Sequence, residues 1–157
     1  MAESFQDRFD ALGKELPPPA SPGANFYIPY TITGRLVFMS GQIPRRGDEI
    51  LHKGRLGENL SIEEGYAAAR SCALNLLAQL HAACDGNLDR VSRIIKLTVF
   101  VNSTPAFTDT SAVGNGASDL FMEVFGEAGR HTRSAIGVAT LPRGVGVEVE
   151  AIVELKP

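Results

Sequence analysis

Metal-binding and redox chemistry have little to work with in this chain, which carries two cysteines and three histidines in 157 residues. His52, His81 and His131 are scattered, with no HxxxH or CxxC spacing and no close carboxylate partner, so no metal site is expected. Cys72 and Cys84 fall on one predicted helix. Their spacing puts them on different sides of it and about 18 Å apart along the axis, too far to bridge. They read as buried thiols of a reducing compartment. An excess of positive charge is also missing: 15 lysines and arginines face 18 acids, for a net charge of −3. That argues against a broad nucleic-acid footprint, which shows as a basic domain; Arg45-Arg46 and Arg130-His131 read as solvated loop pairs. No apolar run approaches the roughly 20 residues that span a bilayer. The opening MAESFQDRFD has neither a basic nor an apolar leader segment, and a cytoplasmic protein is expected. Neither GRLGEN nor GNGASD has the spacing of a phosphate-binding loop, so no nucleotide cradle is predicted.

What is present is an ordinary globular composition, 44% apolar and 21% charged, in a length that suits one domain with one core. Residues 4–16 show a weak helical pattern through Phe5, Phe9 and Leu12 and stop at Pro17-Pro18-Pro19. We read 1–19 as an N-terminal helical extension and 20–157 as the domain proper. A strand over 25–33 and a second through LVFMSGQIP flank Gly34-Arg35 as a hairpin. The Gly-rich stretch 45–59 reads as a loop. Ser61 and Glu64 form a capping box, followed by Ile62, Tyr66, Ala69, Ala73, Leu76, Leu77 and Leu80 at helical spacing, and Asp85-Gly86 ends that helix. RVSRIIKLTVFVNS alternates as a strand, with Ile95, Leu97, Val99 and Val101 on one face and Ile94, Lys96, Thr98 and Phe100 on the other. A second helix is expected over 116–126, with Leu120, Phe121, Val124 and Phe125 inward, and two strands close the chain. The order ββαβαββ predicts an α+β domain, two helices on one face of a mixed sheet.

The last 25 residues carry the chemistry. If Leu141-Pro142-Arg143-Gly144 is a tight turn between paired strands, Arg133 shares a face with Glu148, Glu150 and Ile152. Ala135, Gly137 and Ala139 would make a small-residue floor beside it. Arginine suits a carboxylate because its planar fork makes two parallel charge-assisted bonds. A neighbouring glutamate can orient a water and carry a proton. A plain cross-strand ion pair, worth about 0.2–1 kcal/mol, is the competing reading.

FMSGQIP, LTVFVNS and RSAIGVATLPRGVGVEVEAI, in that order and spacing, resemble the Rid family, also called the YjgF or endoribonuclease L-PSP family. The resemblance runs from about residue 25 to the C-terminus, and the N-terminal extension and the longer 45–59 loop are similar to those of a divergent branch. It implies a chorismate-mutase-like fold assembled as a homotrimer, with ligand sites between subunits. It also implies cofactor-free hydrolysis of reactive 2-enamino and 2-imino acids to 2-keto acids and ammonia. On that resemblance Arg133 grips the substrate carboxylate and Glu148 orients water. Tyr30, Gly41 and Asn115 are the other matched site positions. Their plainer readings are a core-edge ring for Tyr30, a bulge glycine for Gly41 and a helix-entry turn residue for Asn115.

One position departs from the pattern. The family's active deaminases carry a cysteine two residues after the arginine, and this chain has Ala135. A trimer that binds small carboxylates without turnover is therefore a standing alternative. RNA cleavage, which the family name raises, wants paired acid–base groups and a cationic track that this chain lacks.

Overall fold

The computed structural model describes residues 3–18 and 26–157. Helix α1 (Phe5–Ala11) is capped by Ser4 and Asp7 in a capping box and runs into a short 3-10 turn at Gly13–Glu15. Phe9 and Leu12 are buried in the main core. Strands β1 (Tyr30–Thr33) and β2 (Leu36–Gln42) form the expected hairpin. The first strand is shorter than read from sequence: residues 26–29 are not strand, and position 25 lies outside the described residues. The 45–59 loop holds a small ribbon of β3 (Arg45–Arg46) and β4 (Glu49–Ile50).

Helix α2 (Ile62–Ala83) starts at the predicted box, with Ser61 Oγ accepting from the Glu64 N–H. Ala69, Cys72, Ala73, Leu76, Leu77 and Leu80 on it are fully buried; each large side chain there contributes about 1.5–3 kcal/mol by leaving water. Strand β5 (Val91–Asn102) is followed by helix α3 (Thr110–Phe125), strand β6 (Thr132–Val138) and strand β7 (Val147–Leu155). The sheet order is β1-β2-β7-β5-β6, with β5 and β6 parallel and the other pairs antiparallel. The α+β architecture with helices on one face is as expected from sequence. Among the described residues no helix is long and apolar enough to cross a membrane.

Three expectations need correction. The last two strands do not form a hairpin: β5 lies between them, and each pairs with β5. The Leu-Pro-Arg-Gly segment makes a 3-10 turn at Pro142–Gly144 that is tied instead to the 45–59 loop. There the Gly54 N–H donates to Gly144 C=O and the Gly146 N–H to His52 C=O. The Asn102 amide clamps the corner by donating to both Gly54 C=O and Val145 C=O, at 3.1 Å each. Second, a register shift between Ile94 and Lys96 puts Ile94, not Ile95, in the core with Leu97, Val99 and Val101. A bulge resets the period of two that sequence alternation assumes.

Third, α3 begins at Thr110 rather than near Gly116, so Gly114 and Gly116 lie inside it. Gly116 is where α3 crosses α2: a Cβ there would overlap the backbone carbonyl of Tyr66. Close packing outweighs the helix-propensity cost of glycine. Gly116→Ala is accordingly expected to destabilise the fold by about 1–3 kcal/mol through overpacking, despite alanine's better propensity. Thermal unfolding of the variant checks this, and a raised melting temperature would contradict it.

Candidate active site

Arg133 is the second residue of β6, an edge strand, and stands opposite Leu97 on the helix-facing side of the sheet. Its Nη1 donates to Asn115 Oδ1 at 3.0 Å and to Ser118 Oγ at 2.9 Å, and its Nη2 donates to the Ser111 carbonyl at 3.3 Å. Residues 111, 115 and 118 recur at helical spacing on one face of α3. Gly114, on the same helix, leaves room: a Cβ there would sit 3.3 Å from Nη1 and 3.4 Å from Ala135 Cβ. Of the five guanidinium N–H groups, these bonds use both on Nη1 and one on Nη2. Among the described residues the Nε–H and one Nη2–H have no acceptor, and Nε and Nη2 share one edge of the planar group. That edge can make the paired bonds a carboxylate accepts. No acidic side chain among the described residues forms an ion pair with Arg133.

Behind the arginine stands His131. Its Nδ1 lies 2.6 Å from the Gly129 carbonyl and its Nε2 3.0 Å from Ser118 Oγ. Burial, and then the charge of Arg133, hold its pKa below the ordinary histidine value, against the pull of the Gly129 hydrogen bond. A neutral ring fits the contacts: Nδ1–H donates to Gly129, and Nε2 accepts from the Ser118 hydroxyl, whose oxygen still accepts from Arg133.

Glu148 sits on β7 between Val147 and Val149, both buried, so its own side chain leaves the sheet on the opposite face. Beside it β2 bulges between Met39 and Gln42. Gly41 lies in that bulge, where a Cβ would overlap Glu148 Oε1. A cavity of about 240 Å³ opens there, lined by Glu148, Gly41, Gln42, Tyr27, Arg45 and Arg143 among others. Burial first, and then the nearby Glu150 carboxylate, raise the Glu148 pKa above its ordinary value.

The five positions read from sequence thus fall into separate places. Arg133 and Asn115 form one cluster, and Asn115 is a mid-helix residue rather than a helix-entry turn. Gly41 and Glu148 form another. Tyr30 is half-buried against the edge of the core and lines a neighbouring cavity of about 280 Å³ with Phe38, Ser40 and Glu150. The tyrosine lining the Glu148 cavity is Tyr27. The face sharing expected of Arg133 with Glu148, Glu150 and Ile152 does not occur. Arg133 pairs in register with Leu97, whereas Glu148 and Glu150 stand opposite Phe100 and Thr98 on the other face. Sequence reasoning missed Ser111, Ser118, His131 and Tyr27. The 111/115/118 spacing was a usable signal, hidden by starting α3 six residues too late.

The two cysteines offer no nucleophile. Both are free and buried, and burial pushes the Cys72 thiol well up and the Cys84 thiol up to about 11.

A family model described as "YjgF/chorismate mutase-like, putative endoribonuclease" matches residues 6–154. The chain belongs to the YjgF family. Among YjgF-like relatives, protein TCP17 of Trypanosoma cruzi is 52% identical over 145 residues, covering 92% of this chain and 89% of that protein. A 2-iminobutanoate/2-iminopropanoate deaminase of Dermatophagoides farinae is 25% identical over 111 residues, covering 70% of this chain and 80% of that one. The crystal structure of Atu1372 from Agrobacterium tumefaciens, a protein of unknown function, superposes with a TM-score of 0.87 at 42% identity. That match covers 96% of this chain and 91% of that one. The structure of TdcF from E. coli with bound serine matches with a TM-score of 0.58 at 27% identity, covering 91% and 95%.

Proposed function

We propose that this YjgF-family protein hydrolyses 2-imino and 2-enamino acids to 2-oxo acids and ammonia, at sites assembled between the subunits of a homotrimer. The observation that carries this reading is the Arg133 guanidinium, held by three α3 acceptors while its Nε–H and one Nη2–H have no acceptor among the described residues. A side chain fixed in that way is preorganised for a carboxylate. The deaminase relative and the serine-bound TdcF agree with a small amino-acid-derived ligand.

The opposite-face placement of Arg133 and Glu148 supports a shared site. One subunit cannot bring them onto one ligand through the sheet, whereas the Arg133 edge of one copy can meet the Glu148 face of the next. The outer face also needs covering. Phe38 and Ile136 there are 40% and 46% exposed, and Phe100 and Ile152 lie in the same cross-strand rows. Closed cyclic symmetry buries such a surface. Sedimentation at micromolar concentration is expected to give three times the 16.8 kDa chain mass; a monomer would count decisively against the assembly.

In this reading the substrate carboxylate takes the free edge of Arg133, and Glu148 orients a water against the imine carbon. The water oxygen bonds to that carbon, and a proton passes by way of the Glu148 carboxylate to the nitrogen. The tetrahedral carbinolamine then loses ammonia as the C–N bond breaks and the carbonyl forms. Water is the only co-reactant. Imines hydrolyse unaided, so orientation and modest charge stabilisation suffice. The test generates imines in situ with a flavin amino-acid oxidase and follows ammonia release. Acceleration is expected, and release unchanged by added protein would reject turnover.

Ala135 favours a second reading, in which the same site binds carboxylates without turnover. Calorimetric binding of 2-oxobutyrate with no acceleration of imine hydrolysis would select it.

The pH dependence follows from Glu148. Activity needs the carboxylate, so it is lost as pH falls through a pKa that lies above the ordinary glutamate value. Glu150→Gln removes the like charge that contributes to that rise. The acidic limb of the kcat/KM profile, measured relative to uncatalysed hydrolysis, is expected to move to lower pH in this variant. A limb that stays or moves upward would show that Glu150 does not act on the titrating group.

A further inference from the structure

The cavity beside Glu148 holds two arginines that the hydrolytic reading does not use. Arg45 opens β3 and is half-buried, and Arg143 is the middle residue of the 3-10 turn before β7. Both line the cavity that Glu148 and Gly41 line. The ion pairs of the described residues engage Arg8, Arg35, Arg70, Arg90, Arg93 and Arg130, and neither cavity arginine is among them. Neither is within ion-pair distance of Glu148, which is in none of those pairs. Two cations that form no ion pair among the described residues thus line the space beside Glu148.

Their backbones are fixed there. The buried Asn75 of α2 donates from Nδ2 to the Arg45 carbonyl at 3.0 Å and to the Ile43 carbonyl at 3.4 Å, which pins the start of β3 to the helix. Arg143 holds a left-handed backbone, φ 61° and ψ 10°, a conformation that costs a residue with a Cβ about 1 kcal/mol or more. Glycine would hold this turn without that cost, as it does at the next position, Gly144, with φ 71°. The turn is tied to the neighbouring loop through the Gly54–Gly144 hydrogen bond.

We propose that Arg45 and Arg143 form an anion subsite next to Glu148, so that the preferred substrates are 2-imino acids whose side chain ends in a second carboxylate. The inference rests on the hydrolytic reading for its chemistry, and on the cavity alone for its charge preference. Arg133 of one subunit takes the α-carboxylate, Glu148 faces the imine carbon, and the side-chain carboxylate reaches the two arginines. A chain with a net charge of −3 thereby keeps a local cationic pocket for a dianion, which raises both encounter and selectivity. The bonds that form and break are those of imine hydrolysis, and the second carboxylate is unchanged.

The experiment has two arms on the full-length protein. In the first, an oxidase acting on aspartate supplies the dicarboxylic imine, and one acting on 2-aminobutyrate supplies the aliphatic imine. The ratio of kcat/KM for the two is measured in wild type, Arg45→Gln, Arg143→Gln and the double variant. In the second, 2-oxoglutarate and 2-oxobutyrate are titrated calorimetrically into the same proteins. Wild type is expected to prefer the dicarboxylate about tenfold or more in both arms, and the preference to collapse in the double variant, because each charge-assisted bond is worth roughly that factor. An equal affinity for the two oxo acids, or a preference unchanged in the double variant with native circular dichroism, overturns the subsite. If no imine is turned over but the calorimetric preference appears and collapses as described, the subsite stands and the hydrolytic reading falls.

Discussion

Arg133→Lys is expected to lose roughly ten- to a hundredfold in affinity for a small 2-oxo acid while the fold and assembly persist. The lost bidentate bond to a charged group is worth about 1.5–3 kcal/mol. The α3 acceptors deepen that loss. Asn115 Oδ1, Ser118 Oγ and the Ser111 carbonyl already take three N–H donors, and a lysine ammonium has only three. It would have to abandon the helix to reach the ligand, whereas arginine serves both with opposite edges. Arg133→Ala should lose at least as much. Calorimetry on wild type and both variants, with circular dichroism as the folding control, decides the point. Wild-type affinity in the lysine variant would mean that Arg133 acts only as a structural charge on the edge of the sheet.

A larger effect on rate is expected from Glu148→Gln. The amide keeps the size of the side chain and its place beside Gly41 but cannot accept the proton of the attacking water. Positioned general acid–base groups contribute about 10²–10⁴-fold, so turnover should fall within that range while 2-oxobutyrate binding holds near the wild-type value. Gly41→Ala provides an independent check, because its methyl group would displace the Glu148 carboxylate without removing it. It should also lower turnover more than binding. A glutamine variant with wild-type kcat would remove Glu148 from the reaction.

Both predictions concern residues that the sequence singled out through a mistaken local geometry. The Leu-Pro-Arg-Gly signal suggested a hairpin that would put Arg133 and Glu148 on one face. Instead β5 accepts β6 along one edge and β7 along the other, and the turn bonds to the 45–59 loop. Turn chemistry reports what a segment can do locally; it says nothing of a third strand competing for the same edge. Alternation along β5 failed at Ile94 for a related reason. The bulge there satisfies partners on the neighbouring strand, and no glycine in Ile94-Ile95-Lys96 marks it as Gly41 marks the one in β2. The early start of α3 was hidden because Asn115, between two glycines, read as a helix-entry turn residue, while those glycines sit inside the helix and admit Arg133 and the Tyr66 carbonyl at close range.

By itself the sequence determined the elements whose causes are local. The Ser61–Glu64 box and the apolar stripe behind it specified α2, Gly34-Arg35 specified the first hairpin, and Arg133 stood out as a charged residue in a run of small ones. Only the tertiary structure decided which strand edges pair, which sheet face each charged side chain leaves from, and what surrounds it there. Those are outcomes of competition between segments distant in the chain. The separation of Arg133 from Glu148 by the thickness of the sheet is one such outcome, and it is the reason the proposed function places its site between subunits.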